Sequence, residues 1–304
     1  MRLHGLGYVG LQSTEAGEWK TVGPDVFGMQ VGETPDGVTR LRLDSRGYRF
    51  ALHPGPDNRL LYVGWDAGYA QDLAHAREHL VAQGVEVHEG DADLRSARQV
   101  LDLFWFTDPF GVRHEIFTGQ HFGDRIFHGT RATTEFNTEN GLGHAVFVVP
   151  DLQQAVAFWR DVMGFETTDV IKLRVPDTEM WFLRCNERHH CVAFMAIPGL
   201  VGLDHVMVES TSMSEVGQAY QAAKRHGLKM QLELGEHYMD RTTSFYARVP
   251  GGWTLELGWG AQLTDEQWVT RYFDVSRPGA SSEVWGHEFQ RETGPAEVVR
   301  PVGT

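Results

Sequence analysis

Two histidines and one glutamate occupy matched positions of a repeated pattern in the second half of the chain: His144, His205 and Glu256. The corresponding positions of the first half carry Tyr8, Tyr62 and Glu115. Two imidazoles and one carboxylate, with other coordination positions left open, are typical of non-haem Fe(II) sites that react with oxygen. Mn(II) also accepts such ligands. The residue types therefore predict a metal site in the second half and none in the first.

Each of these residues taken singly is weak evidence for a metal. The chain has 15 histidines, and a histidine on a strand is more often a core or surface residue than a ligand. Glu115 also follows the same closing motif as Glu256, although its half lacks the two histidines. The prediction depends on three ligand-type residues at equivalent positions on predicted strands, whose side chains can converge if the strands close into a half-open barrel.

The elements that must carry these residues are repeated. One half ends in DPFGVRHEIFTG and the other in VPGGWTLELGWG, so that Glu115 and Glu256 each lie six residues after a proline. Each half also divides again. The segments NRLLYVGWDAGYAQDLAHAREHLVAQG and VGLDHVMVESTSMSEVGQAYQAAKRHGL are each typical of a strand, an amphipathic helix and a glycine. Alternating runs broken by Gly-rich turns then predict about three further strands in each unit.

The predicted fold class is α+β, with four βαβββ modules paired into two half-open barrel domains. The helix of the first module is expected to be weak, because EAGEWKTVGPDVFG carries glycines and a proline. We expect a metal-free domain over 1–120, a polar connector over 121–140 and a catalytic domain over 141–260. The tail, 261–304, is expected to pack on the catalytic domain.

Composition and charge exclude several classes of protein. The chain is 41% hydrophobic and 22% charged, with a formal net charge of -14, and it lacks the basic face of a nucleic-acid-binding protein. No segment is typical of a signal peptide or of a membrane span of roughly 20 apolar residues. Cys185 and Cys191 are too few for a disulfide framework. A cytoplasmic protein with reduced thiols is expected.

Five motifs in this order resemble the two-domain extradiol catechol dioxygenases, especially those similar to 2,3-dihydroxybiphenyl 1,2-dioxygenase, of the vicinal oxygen chelate superfamily. They are GLGHAVFVVPDLQQAVAFW, FLRCNERHHCVAF, GLDHVMVE, HYMDRTTSFYARVPGGWTLELGWG and VWGHEF. The resemblance covers nearly the whole chain and implies the glyoxalase-like fold. It also implies Fe(II), occasionally Mn(II), bound by His144, His205 and Glu256. Relatives commonly assemble into dimers or octamers, which implies a homo-oligomer.

The same resemblance implies catalytic roles for His190, His237 and Tyr246. His190 is expected to hydrogen-bond bound oxygen and later to donate a proton. His237 and Tyr246 are expected to contact the substrate hydroxyl groups and to assist their deprotonation. Alternation along a strand predicts that His189 points to the opposite face from His190. His237 falls in a predicted loop, and the alternative for Tyr246 is plain packing on a half-buried strand.

The resemblance further implies a pocket lined by Val146, Phe182 and the apolar run around Trp181. Many relatives have His-x-Asn-Asp where this chain has His237, Tyr238, Met239 and Asp240. Met239 and Asp240 are expected to contact substrate, and the thioether of Met239 replaces a polar amide. An apolar pocket favours a catechol that bears an aryl, fused-ring or alkyl substituent.

The predicted reaction is the opening of a 3-substituted catechol by Fe(II) and O2, between a hydroxylated carbon and its unhydroxylated neighbour. The expected partners are the catechol, O2 and further copies of the chain, without nucleic acid or membrane. One alternative is a glyoxalase-like isomerase, which usually has a second carboxylate. Another is a metal-free protein that sequesters small molecules. Bound iron and O2 uptake with a catechol would distinguish them.

Overall fold

The computed structural model describes residues 1–33, 36–131, 134–174, 178–290 and 296–302. Within these ranges the chain forms four successive units, each built from one strand, a helical segment and three further strands, and the second unit contains an additional short helix. The predicted α+β fold of βαβββ modules is confirmed. No helix in the described ranges is both long and apolar enough to cross a membrane.

The first two units form one sheet. The first unit consists of β1 Gly5–Ser13, a 3-10 turn Ala16–Glu18, α1 Trp19–Phe27, β2 Gln30–Glu33, β3 Thr39–Arg42 and β4 Phe50–Pro54. The second consists of β5 Arg59–Asp66, α2 Ala70–Ala82, β6 His88–Glu89, α3 Ala92–Arg98, β7 Asp102–Thr107 and β8 Arg113–Thr118. The strand order is β2-β3-β4-β1-β5-β8-β7-β6.

The last two units form the second sheet. The third unit consists of β9 Gly143–Val149, α4 Leu152–Ala157, a π turn Phe158–Val162, β10 Glu166–Lys172, β11 Glu179–Arg184 and β12 Val192–Ala196. The fourth consists of β13 Leu200–Glu209, α5 Met213–Arg225, β14 Met230–His237, β15 Thr243–Arg248 and β16 Thr254–Trp259. The order β10-β11-β12-β9-β13-β16-β15-β14 repeats that of the first sheet.

Three strands of the tail extend the second sheet. These are β17 Arg271–Asp274, β18 Glu283–Trp285 and β19 Val299–Pro301. They pair with β10, β14 and β13 respectively. Strands β17 and β18 therefore lie at the two ends of the sheet that carries the predicted ligands. The division of the chain at residues 120, 140 and 260 stays a prediction.

The helix of the first module forms in spite of Pro24. Helix α1 buries Trp19, Val22 and Phe27 and ends at Gly28, whose φ of 73° is in the left-handed region. Trp19 stacks on Trp253 of the second half, with ring centroids 5.4 Å apart. The sequence suggested a weak helix because the glycines and Pro24 lower the local helix propensity. Burial of the apolar side chains in the folded protein outweighs that unfavourable propensity.

Candidate active site and metal centre

The three predicted metal ligands meet on three adjacent strands. His144 lies on β9, His205 on β13 and Glu256 on β16, with β13 paired to both neighbours. Nε2 of His144 is 3.2 Å from Oε2 of Glu256, and Nε2 of His205 is 3.5 Å from the same oxygen. All three side chains are buried. Their ligand atoms lie within 4.8 Å of one another, as a shared metal ion requires.

The chemistry of this group fits a divalent cation. Among the described residues, none donates a hydrogen bond to either carboxylate oxygen of the fully buried Glu256. An unsatisfied buried carboxylate is costly, and a bound cation would offset that cost. Nδ1 of His205 is 2.7 Å from Asp204 Oδ2, which directs Nε2 towards Glu256, as is usual for metal-binding histidines. Burial, together with nearby His205, lowers the pKa of His144 and favours the neutral, ligating form.

His190 lies beside the ligands, with its ring centroid 3.8 Å from that of His144. Burial and then the neighbouring His144 lower the pKa of His190. The residue precedes β12 and is not on a strand, so alternation does not separate it from His189. Nδ1 of His189 is 3.1 Å from Nδ1 of His190. The prediction that these two side chains point to opposite faces is therefore wrong.

His237 and Tyr246 form a hydrogen-bonded pair next to Glu256 and His205, with Nε2 of His237 3.9 Å from Glu256 Oε1 and the ring centroids of Tyr246 and His205 5.0 Å apart. His237 ends β14 and does not lie in a loop, as the sequence had suggested, while Tyr246 lies on β15. Nε2 of His237 is 2.7 Å from the Tyr246 hydroxyl, and Nδ1 is 2.8 Å from Glu283 Oε2. Burial disfavours charge on the ring, but the hydrogen bond to Glu283 outweighs it and raises the pKa of His237 to about 9. Burial and the Glu256 carboxylate raise the pKa of Tyr246, so its hydroxyl keeps its proton.

These residues line one cavity of about 170 Å3. Its apolar lining comprises Val146, Ile171, Leu173, Met180, Phe182, Met195, Leu232 and Met239. Asp240 is a buried acid in this lining, and the charge of His237 lowers its pKa although burial opposes the shift. Strands β10 and β14 are far apart in the strand order and both contribute, so the sheet curls around the cavity.

Trp181 does not belong to this lining, contrary to expectation. Its neighbours Met180 and Phe182 face the cavity, while Trp181 packs against the main hydrophobic core. Its indole N–H donates to Glu179 at 2.9 Å. Side chains alternate along β11, so Trp181 lies on the face opposite to that of Met180 and Phe182.

Sequence reasoning missed the acidic residues behind the histidines. Asp204, Glu283 and Asp169 each lie within hydrogen-bond distance of a site histidine or its neighbour. His287 was also missed, and its Nδ1 is 2.6 Å from Glu283 Oε2. The motifs GLDH and VWGHEF contain or lie beside three of the four. Asp169 had no such signal, because it reaches the site only when β10 folds beside the loop before β12.

The first half builds a different cluster at the equivalent positions. The Tyr8 hydroxyl donates to Glu115 Oε2 at 2.8 Å, and Arg98 donates to both carboxylate oxygens, at 2.8 and 3.0 Å. The Arg98 guanidinium also lies over the ring of Tyr62, 3.5 Å from its centroid. A guanidinium thus neutralises the glutamate at the position that corresponds to Glu256.

The chain is similar to proteins of one enzyme group. Residues 141–257 match the family described as the Glyoxalase/Bleomycin resistance protein/Dioxygenase superfamily, and residues 6–55 match Dihydroxybiphenyl dioxygenase BphC D1. Biphenyl-2,3-diol 1,2-dioxygenase of Paraburkholderia xenovorans (strain LB400) is 35% identical, covering 96% of this chain and 97% of the relative. An iron-dependent extradiol dioxygenase of Rhodococcus jostii (strain RHA1) is 34% identical over 95% and 98% of the two chains. The crystal structure of BphC, a halotolerant catechol dioxygenase, aligns with a TM-score of 0.91 and 30% identity over 99% of each chain.

Proposed function

The chain belongs to the extradiol catechol dioxygenases, and from this premise we propose that it opens catechols that carry a bulky apolar substituent next to one hydroxyl group. It is an iron-dependent oxidoreductase that uses O2 to open the ring of a catechol and incorporates both oxygen atoms. This assignment replaces the two alternatives, a glyoxalase-like isomerase and a metal-free protein that sequesters small molecules. The class of substituent is the part that we propose.

The lining of the cavity carries this proposal. Two of the proposed ligands, His144 and His205, line the cavity together with eight apolar side chains. A catechol whose hydroxyl groups lie against these histidines directs a substituent at carbon 3 towards the apolar side chains. Met239 contributes a thioether to this lining. A substituent that is itself an aryl or fused ring would gain free energy from burial there, at about 25 cal/mol per Å2 of apolar surface.

We infer that His144, His205 and Glu256 hold the iron. Two neutral imidazoles and one carboxylate leave sites free for substrate and oxygen, and the unsatisfied Glu256 carboxylate supports the assignment. When bound, Fe(II) supplies a Lewis acid for the catechol oxygens and an electron donor towards O2. The neighbouring side chains then have to orient the catechol and move its protons.

His237 and Tyr246 are proposed to act on the hydroxyl end of the substrate. A charged His237 donates from Nδ1 to Glu283 and from Nε2 to the Tyr246 oxygen. The Tyr246 O–H is then free to donate to a catechol oxygen and to stabilise negative charge there. His190, on the other side of His144, is proposed to exchange a proton with oxygen or with reaction intermediates.

The decisive experiment compares substrates on anaerobically iron-loaded enzyme. O2 uptake and the colour of the ring-opened product are followed with catechol, 3-methylcatechol, 2,3-dihydroxybiphenyl and 1,2-dihydroxynaphthalene. We expect kcat/KM to be highest for the aryl and fused-ring catechols. A highest kcat/KM with unsubstituted catechol would contradict the proposed substrate class and would leave the enzyme class intact.

We also propose assembly into dimers or octamers and a cytoplasmic location. The tail exposes several large apolar side chains, among them Tyr272 and Phe289, which are 72% and 58% exposed. Sedimentation equilibrium of the iron-loaded protein tests the assembly. A monomer at micromolar concentration would contradict it.

A further inference from the structure

A chain of buried side chains continues behind His190. Nδ1 of His190 is 3.1 Å from Nδ1 of His189, and Nε2 of His189 is 2.9 Å from Asp169 Oδ2. All three residues are buried, with exposures of 4%, 1% and 0%. The contact uses Nδ1 of His190 and leaves Nε2 available to the cavity that this residue lines.

Asp169 is paired with a guanidinium. The Arg271 guanidinium donates to both of its oxygens, at 3.0 Å from Nε and 2.7 Å from Nη2. A second hydrogen bond from Arg271 Nη2 to the backbone oxygen of Met239 fixes the guanidinium in place. A carboxylate paired in this bidentate way only accepts hydrogen bonds.

The direction of each remaining hydrogen bond follows from this charge. Nε2 of His189 is 2.9 Å from Asp169 Oδ2 and 3.4 Å from Nη2 of Arg271, whose hydrogens are directed to Asp169 and to the Met239 backbone oxygen. Because the closer partner is an acceptor, Nε2 of His189 carries the hydrogen and donates it to Asp169. In this tautomer Nδ1 of His189 offers a lone pair, so Nδ1 of His190 carries the hydrogen in the contact between the two rings. His190 is thereby left with an unprotonated Nε2 towards the cavity.

We propose that Asp169 and His189 are positioning residues that hold His190 in its Nδ1–H tautomer, with the basic Nε2 directed to the reacting oxygen atoms. The inference rests on the proposed role of His190. It assigns a function to two residues that are not among those lining the cavity. Without the Nδ1 acceptor of His189, His190 is free to rotate or to adopt the other tautomer, in which Nε2 cannot accept a proton.

The histidine next to His190 allows a sharp test. In His189→Leu the acceptor is lost, whereas in His189→Asn the side-chain oxygen can reach a position close to that of Nδ1 and accept the same hydrogen bond. Both variants are purified with iron, and kcat, KM for 2,3-dihydroxybiphenyl and iron content are measured. His190→Phe serves as the reference for complete loss of function at this position. His53→Leu, in the first half and bonded to Tyr62, is the control for replacing a partly buried histidine.

We expect His189→Leu to lower kcat roughly 10- to 100-fold, part of the contribution of a general acid or base, with KM and iron content near those of the wild type. His189→Asn should recover most of the lost kcat, and His53→Leu should retain wild-type kcat. A kcat of His189→Leu equal to that of the wild type, or equal losses in the Leu and Asn variants, would overturn the positioning proposal. If His189→Leu does not fold, the kcat of a soluble His189→Asn variant decides the question. A wild-type kcat in His189→Asn supports the positioning proposal, and a kcat as low as that of His190→Phe overturns it. A fully active His190→Phe would instead contradict the proposed role of His190, which keeps the two failures distinguishable.

Discussion

At the scale of single residues, the proposed site contains one buried carboxylate to which no residue in the described part of the chain donates a hydrogen bond. Glu256 is fully buried and lies within reach of two imidazole nitrogens. In the metal-free protein this arrangement is destabilising, because a buried charge without hydrogen bonds is costly. We therefore expect iron binding and stability to be coupled through this residue.

We expect His205→Ala to lose iron while the chain stays folded. Removal of iron by a chelator should lower the Tm of the wild type, since bound metal stabilises the folded state, and should leave the Tm of His205→Ala nearly unchanged. Elemental analysis and thermal unfolding measure the two effects. Tyr62→Phe, at the equivalent position of the first half, should keep one iron per chain. Full iron retention in His205→Ala would remove His205 from the ligand set.

Met239 contributes an apolar side chain to the cavity wall. The residue is 6% exposed and lines the cavity. Met239→Asn introduces an amide without an evident partner on an apolar wall, at a cost on the order of 1–3 kcal/mol. We expect the ratio of kcat/KM for 2,3-dihydroxybiphenyl over catechol to fall roughly 5- to 100-fold. Met239→Leu is the matched apolar control, and an unchanged ratio in the Asn variant would mean that Met239 does not contact the substituent.

At the scale of elements, a short helix supplies the guanidinium that pairs with the buried glutamate of the first half. Helix α3 was not predicted, and Asp91 begins it by accepting a hydrogen bond from the backbone of Leu94. Its last residue, Arg98, reaches Glu115 inside the first sheet. In the second half, β18 supplies Glu283 to His237 and β17 supplies Arg271 to Asp169. Secondary elements outside the basic repeat thus distinguish the two halves.

Arg98→Met should destabilise the protein without affecting iron. Glu115 is fully buried and would lose its bidentate partner, which costs about 3–5 kcal/mol for a buried pair. Glu115 keeps its contacts with Arg113 at 2.9 Å and with the Tyr8 hydroxyl at 2.8 Å, which places the expected loss at the lower end. Urea unfolding and elemental analysis measure the two effects. Arg59→Met, which removes an exposed pair with Asp57, should cost less than about 1 kcal/mol, and a similar loss in both variants would contradict the assignment.

At the scale of the whole molecule, the two halves share one hydrophobic core. Trp65 of the first half packs against Trp159 of the second, with centroids 5.2 Å apart, and Trp19 stacks on Trp253. The Trp19 indole N–H also donates to the Pro250 backbone oxygen at 2.9 Å. The first half therefore supports the turn before β16, the strand that carries Glu256.

Trp19→Ala should reduce stability and weaken the catalytic half. Truncating a fully buried tryptophan costs about 3–5 kcal/mol, and here the cavity would open against Trp253. Urea unfolding monitored by tryptophan fluorescence measures the loss. Ile126→Ala, at a side chain that is 79% exposed, should change stability by less than about 0.5 kcal/mol. A loss below about 1 kcal/mol for Trp19→Ala would indicate that the two halves are stabilised independently.

Much of the fold could be predicted because its signals are local and repeated. Strand alternation, helical spacing and the matched closing motifs of Glu115 and Glu256 gave the four modules and the strands that carry His144 and His205. The same repeat distinguished the half with two imidazoles from the half with two tyrosines. These features depend on residue type and on spacing along one segment, which the sequence contains directly.

Other features were decided only when distant segments met. Asp169 lies 20 residues from His189 and Glu283 lies 46 residues from His237, and no local pattern pairs them. The tertiary structure also turned Trp181 away from the cavity and made a stable helix of the segment around Pro24. The sequence by itself determined which residues could bind a metal and on which strands they lie. The curl of the sheet and the packing of the tail decided which charged side chains face these residues. Burial and hydrogen bonding depend on contacts between segments that are far apart in the chain, so only the tertiary structure could fix them.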